Sequence, residues 1–353
     1  MNQTPEERIA AESYAKRTER LLRTQIDGLE AEVKELRALA NFYDLARTEP
    51  IVVPDWRKPG ASKAGKKVGT VMAQIADWHL GEVVKPEQIM GLNAFNTRIA
   101  ERRVDVWTGK VIDLPRKYVN GLEIEGLIIP ATGDMFTGEI HPELIETNDM
   151  RVLPAMLHWM ERVISVVETL AGEYRYVEID AVPGNHTRNT EKYDHKDRVD
   201  KSYEQFFWSV VKARIADRGK VKNVTINVSP SANYNLSIYG RNHLLDHGYE
   251  FKGGSGISGS FSPLMLGAHR KNRRQMRADM PMHTMVIGHL HQIINIPGVI
   301  MGGCLKGYDE FAFNLNLDPD PEGAGQAMWI TSPERAQVVW MPIYVVDRKA
   351  EGW

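Results

Sequence analysis

The chain is short of several things that would decide its class at once. Across 353 residues there is a single cysteine, Cys304, so neither an intrachain disulfide nor a zinc knuckle can form, and the composition fits a reducing compartment. No apolar run approaches the roughly 20 residues a spanning helix needs. The N-terminal stretch carries Glu6, Glu7, Arg8 and Glu12 where a secretory leader would have its apolar core. A net charge of -2 cannot draw the whole molecule to nucleic acid or to a membrane, so any basic surface is a local patch. The expectation is a cytoplasmic protein without membrane attachment. What is present, 42% hydrophobic residues, suffices for a sizeable core.

Glycine and proline are nearly missing from the first segment. Between Pro5 and Ala46 only Gly28 interrupts a stretch rich in Glu, Arg, Leu and Ala, which predicts one long helix over residues 1–47. Leu22, Ile26, Leu29, Val33, Leu36, Ala40 and Tyr43 alternate at spacings of four and three, the a/d rhythm of a coiled coil. The reading is a homo-oligomer joined through this helix; the alternative is a helix lying back on the chain's own globular part. Over 48–67, Pro50, Pro54, Pro59, Gly60 and Gly65 break regular structure, and Lys58, Lys63, Lys66 and Lys67 keep the segment solvated, so a linker is expected.

The remainder, 68–353, reads as one α/β domain. Val68–Ala76, Leu127–Thr132 and Val177–Val182 are expected strands, alternating with helices over Pro86–Lys110, Arg151–Ala171 and Lys201–Ala216. The helix over Arg151–Ala171 would bury Leu153, Met156, Leu157, Met160, Val163, Ile164 and Val167. Short strands then follow closely (Val224–Val228, Asn235–Tyr239, His243–Asp246, Thr284–Ile287, Ile293–Ile296, Ala336–Met341, Ile343–Val346), implying a second sheet. Within it, an insertion at about 250–280 carries Arg270, Lys271, Arg273, Arg274 and Arg277 on an expected helix, a footprint for phosphate or nucleic acid.

Five polar stretches each follow one of the apolar segments: Asp77-Trp78-His79, Gly133-Asp134, Gly184-Asn185-His186, Asp246-His247-Gly248 and Gly288-His289-Leu290-His291. Any one is common. Together they bring carboxylate, imidazole and amide donors from successive strand ends to one place, a donor set suited to Mn, Fe or Zn rather than to the oxygen cages of Ca or Mg.

In these stretches the chain resembles the calcineurin-like metallophosphoesterases, whose blocks are Asp-x-His, Gly-Asp-x-x-Asp, Gly-Asn-His-Asp/Glu, a Gly-His or His-Gly block, and Gly-His-x-His. The match runs from about Val68 to His291, in the family's order. It implies a four-layer α-β-β-α sandwich of two mixed sheets with helices outside, and two divalent metals, Mn foremost, with Fe or Zn as alternatives. Asp77, His79 and His291 would hold the first metal, Asn185, His247 and His289 the second, with Asp134 bridging them and His186 as the catalytic group acting on substrate. Such a pair can share a hydroxide and clamp a phosphoryl oxygen in an in-line displacement. With +4 from the metals, -2 from the two aspartates and -1 from hydroxide, the site sums to +1 and welcomes a phosphodiester.

Gly302–Phe311 is similar to the tail of phage-encoded members described as DNA-repair-type nucleases, which implies a DNA substrate and, for a phage protein, the host cytoplasm. The expected activity is hydrolysis of phosphodiester bonds in DNA. Phosphoesterases of cyclic nucleotides or phosphoproteins, and a scaffold without catalysis, are the alternatives. Trp78 would stack on a base or pack beside the metals, and His141 would line the substrate cleft. Thr137 and Thr187 depart from the family pattern where an acid or amide is usual, which places the hydrogen bonding around the ligands in question.

Overall fold

In a computed structural model, residues 16–30, 33, 57, 67–251, 261–318 and 322–353 are described. The chain divides into two units, Met1–Pro50 and Ile51–Trp353. In the first, residues 16–30 are helical, and Leu22, Ile26, Leu29 and Val33 are 44–59% exposed, an apolar stripe. Leu36, Ala40 and Tyr43 lie outside the described residues, as does most of the expected linker. Arg57 departs from the linker expectation: it is buried, its guanidinium paired with Glu178 and donating to the Ser237 carbonyl at 3.0 Å.

In the second unit the apolar segments become strands where β-branched and aliphatic residues run together. Strands β1 (Val68–Ala73), β2 (Glu123–Ala131), β3 (Val177–Ala181) and β4 (Val224–Val228) are parallel neighbours, connected through helices α1 (Thr97–Tyr118), α2 (Val152–Glu173) and α3 (Tyr203–Arg218). Asn96 starts α1 by accepting the Ile99 N–H at 3.0 Å, and Ser202 starts α3 in the same way from Gln205. Next come β5 (Asn233–Ile238), β6 (Arg241–Asp246), α4 (Phe261–Met276), β7 (Thr284–Ile287), β8 (Ile294–Ile296), β9 (Val299–Met301), β10 (Gly325–Gln326), β11 (Met328–Thr331), β12 (Val339–Trp340) and β13 (Ile343–Tyr344).

One sheet runs β12-β11-β1-β2-β3-β4 and the other β5-β6-β7-β9-β8, with β10-β13 as a small pair. β9, β10 and β11 have no counterpart among the expected strands, and β11 is the antiparallel neighbour of β1. On α2, Met156, Val163, Ile164 and Val167 are buried as expected. Leu153 and Leu157 are not: the face turns toward Ala155, Trp159 and Leu170 instead.

Three apolar clusters hold these elements. The first joins α1, α2 and α3, through Trp107, Trp159 and Trp208, to Val71, Leu127 and Ile179 of the six-stranded sheet. The second lies between Met72 and Ile128 of that sheet and Leu236, Leu245 and Val286 of the other. The third joins Met285 and Ile287 to Leu264 and Ala268 of α4. The architecture is mixed α/β. Among the described residues no helix is long and apolar enough to cross a membrane.

Candidate metal centre

Parallel neighbours end side by side, so the residues that follow them are delivered to one place. Asp77 and His79 follow β1, Asp134 follows β2 and Asn185 follows β3; His247 follows β6, and His289 and His291 follow its parallel neighbour β7. The chain must turn sharply to aim these side chains together. Asp77, His79, Asp134, His289 and His291 all take positive φ, between 49° and 71°, half of the non-glycine residues in that conformation among those described. For residues with a Cβ this is strained backbone, held in place by its surroundings.

The two aspartates are built alike. Asp77 Oδ2 accepts the His289 N–H at 2.8 Å, and Asp134 Oδ1 accepts the Asn185 and His186 N–H groups at 2.8 Å each. One oxygen of each carboxylate thus fixes the backbone of a later stretch. The other, Asp77 Oδ1 or Asp134 Oδ2, is buried, takes no backbone donor and faces imidazole nitrogens. The glycines of the motifs make room for this. A Cβ on Gly184 would collide with Asp134 Oδ1, and one on Gly288 with Asp77 Oδ2. Gly184→Ala should therefore destabilise the protein by about 1–3 kcal/mol in urea unfolding and weaken metal uptake with it.

Around Asp77 Oδ1, His291 Nε2 lies at 3.5 Å and His79 Nε2 at 4.0 Å, the two ring nitrogens 3.1 Å apart. Around Asp134 Oδ2, His247 Nε2 lies at 2.9 Å and 2.8 Å from Asn185 Oδ1. The His247 Nδ1–H is used on the Thr132 carbonyl at 2.8 Å, so its Nε2 is left among oxygens that can only accept, and a positive charge is needed there. Burial opposes the charge on His247, yet the Asp134 carboxylate overrides it and pushes the imidazole up to about 10. Asp134 is held well below the carboxylate range, its burial outweighed by His247 and His186. Burial pulls His289 down to about 4 and His79 well below the usual histidine range, leaving both neutral and able to ligate.

Among the described residues, three groups of donors come close enough for an ion: Asp77 with His79 and His291; Asp134 with His247 and His289; and His79 with Asp134 and His186. The bare carboxylate oxygens and the facing ring nitrogens fit two cations, one on each side of the cleft. His186 donates Nδ1–H to the Thr137 carbonyl at 2.9 Å, which leaves Nε2 for the cleft, and its ring lies edge-on to that of His79 at 4.7 Å.

The two threonine departures have work of their own. Thr137 Oγ1 lies 2.9 Å from both the His79 carbonyl and Glu82 Oε2, and Thr187 Oγ1 meets Glu204, whose carboxyl is driven up to about 8 by burial and by Asp134. Glu82 belongs to a buried network that the sequence reading did not contain. Lys306 Nζ lies 2.8 Å from Glu82 Oε1 and 2.5 Å from Asp309 Oδ2, behind His79. Burial works against the lysine's charge, but the two carboxylates raise its proton affinity. Lys306→Met should cost about 3–5 kcal/mol in chemical unfolding, because it strands two buried carboxylates.

Other expected contacts are redistributed. Trp78 is 1% exposed and packs edge-on against Trp107 at 5.6 Å, so base stacking there is excluded: with Asp77 and His79 turned toward the cleft, the residue between them points into the core. Lys271 is buried against Asp246 and Glu250, which removes it from the basic patch and makes it a support for the His247 loop. Arg270, Arg273, Arg274 and Arg277 stand exposed on α4 and the turn after it. His141 is exposed with its ring 5.9 Å from that of His186, at the cleft.

No family model matches the sequence, and no curated protein matches it. Among solved structures, the fold is similar to a conserved uncharacterized protein, a predicted phosphoesterase, from Streptococcus pneumoniae TIGR4, with TM-score 0.28 and 9% identity over 78% of this chain and 97% of that one. It is also similar to a dimetal phosphatase from Danio rerio, with TM-score 0.34 and 11% identity over 80% of this chain and 100% of that one. A third similar structure is the Thermus thermophilus sulfate thiohydrolase SoxB, with TM-score 0.28 and 7% identity over 82% and 60%. At such values the functional reading rests on the donor geometry, a centre of Asp, His and Asn side chains suited to two divalent metal ions.

Proposed function

We propose that the protein is a phosphodiesterase dependent on two divalent metals, Mn²⁺ foremost, and that it cleaves DNA. The observation that carries the reading is the pair of buried aspartates, each with one oxygen tied to the backbone and one bare oxygen turned to imidazoles. Asp77, His79 and His291 would hold one cation, Asn185, His247 and His289 the other, with Asp134 between them. When bound, the metals supply Lewis-acid polarisation of the phosphodiester and offset its charge. Asn185 is a neutral donor, so the centre keeps its attraction for an anion where a third carboxylate would cancel it. His186 presents Nε2 to the cleft and, when protonated there, can deliver a proton to the leaving oxygen. We read the succession of helices, sheet, sheet and helix as the four-layer arrangement that the motifs imply. The exposed arginines of α4 support a polyanionic substrate.

The test is an assay of Mn²⁺-loaded protein on single-stranded, double-stranded and nicked DNA beside a cyclic dinucleotide, with Asp134→Asn as control. Cleavage of the cyclic dinucleotide alone would replace the nuclease reading, and inactivity on all substrates would leave a scaffold. The exposed stripe from Leu22 to Val33 supports self-association through the N-terminal helix; light scattering of the full chain with and without Ile26→Glu decides it.

A further inference from the structure

Between β3 and α3, residues 182–202 form neither helix nor strand, a connection long enough in a compact fold to suggest function. It carries Asn185 and His186 near its start, and Gly184, Arg188, Tyr193, Asp194, Arg198 and Lys201 line a small cleft along it. Gly184 is shared with the metal centre, where it packs on Asp134. Three cations against one carboxylate leave this lining at a formal charge of +2. Lys201 is paired with Asp194 at 2.6 Å. Arg188 gives one N–H from each guanidinium nitrogen to backbone carbonyls, of Asn185 at 2.7 Å and of Thr190 and Glu191 at 3.0 Å, so no carboxylate is paired with it in these bonds.

The flat side chains in this region form a series that ends at a metal donor. The Arg198 guanidinium lies 4.3 Å from the Tyr193 ring centroid. Tyr193 is stacked on Tyr249, with centroids 4.1 Å apart and planes at 25°. Tyr249 meets the edge of His289 at 5.4 Å. The two tyrosines come from different connections, Tyr249 from the loop after β6, where Lys271 holds the neighbouring Glu250. All three side chains are partly exposed, as base-binding groups must be. Flat aromatic and guanidinium surfaces beside a positive cleft are the means by which proteins hold unpaired bases without regard to sequence. A phosphoprotein would have no use for the stack.

We propose that the stack of Arg198, Tyr193 and Tyr249, in which both faces of Tyr193 are already covered, presents its two outer faces, one of Arg198 and one of Tyr249, to the unpaired bases of a single-stranded nucleic acid, whose backbone follows Arg188 and Lys201 to the metal centre. The platform rests on the phosphodiesterase reading and gives it a substrate class. DNA and RNA share this chemistry, so the test uses both.

The full-length protein in EDTA is titrated against fluorescent oligothymidylate, oligouridylate and a phosphopeptide, with anisotropy as the readout. Hydrolysis of the oligonucleotides and of bis(p-nitrophenyl) phosphate is then followed with Mn²⁺. Tyr193→Ala and Tyr249→Ala should each raise the oligonucleotide Kd about 10-fold, and Tyr193→Phe, which keeps the ring, should restore it. Their loss of kcat/KM on the oligonucleotide should exceed the loss on the aryl diester by about the same factor. Arg198→Lys, which keeps the charge and loses the plane, should weaken binding about threefold, and this variant serves if the alanine proteins do not fold.

Equal losses on both substrates, unchanged affinity in Tyr193→Ala or Arg198→Lys, or a preference for the phosphopeptide would each overturn the platform. Wild-type protein that binds oligonucleotide in a ring-dependent way but is inert on the aryl diester would instead overturn the phosphodiesterase reading alone.

Discussion

Asp134→Asn is expected to lower phosphodiester hydrolysis by at least about 10³-fold and to bring metal content, measured by mass spectrometry of the purified protein, well below that of the wild type. The amide can still turn its oxygen to the Asn185 and His186 N–H groups, each now 2.8 Å from Asp134 Oδ1. That orientation puts an NH₂ group where the bare Oδ2 faced His247. A donor then replaces the acceptor that a cation requires, and the negative charge that keeps His247 at its high proton affinity disappears. The loop should stay folded, so circular dichroism should be unchanged while metal and activity fall together. Retention of full metal content with full activity would remove Asp134 from the centre.

His186→Ala should reduce turnover by about 10²- to 10⁴-fold and leave the metal content intact. The ring is held by one bond, Nδ1–H to the Thr137 carbonyl at 2.9 Å, which aims Nε2 into the cleft without making it indispensable to either metal group. Burial lowers its proton affinity, and Asp134 opposes that fall without reversing it. His186 also falls within one donor group with His79 and Asp134. Metal content therefore decides between the roles: if it drops in proportion to activity, His186 is a ligand.

The candidate centre was legible because the donors follow apolar runs that read as buried strands, and because a glycine directly precedes Asp134, Asn185 and His289. Val224–Val228 and Thr284–Ile287 have the expected bounds for the same reason. Where side chains lie relative to the cleft was not legible. Trp78 sits between two donors in sequence and points away from them, because the turned backbone at Asp77 and His79 sends alternate residues to opposite sides. Lys271 belongs to a run of basic residues yet occupies the inner face of α4. Glu82, Lys306 and Asp309 are joined across more than two hundred residues, and nothing in local spacing announces such a pairing. Tyr193 and Tyr249 lie in connections without periodicity, so no pattern links them. β11 escaped although Gly325 precedes it and Ser332-Pro333 follow it, because four residues are too few to show a period.

Arg57 has a practical bearing on where this protein can be cut. Its guanidinium reaches between the sheets to Glu178, which stands beside Asp180 and Asn227 with Tyr234 nearby. Burial, together with Asp180, pushes the Glu178 carboxyl up to about 9, and the arginine is the cation that opposes that rise. A shortened protein whose first residue is Val68 would keep every strand among the described residues and every candidate metal donor, but would leave Glu178 and Asp180 in the interior without the guanidinium that faces them. Such a piece should unfold at a lower urea concentration than one that begins before residue 57.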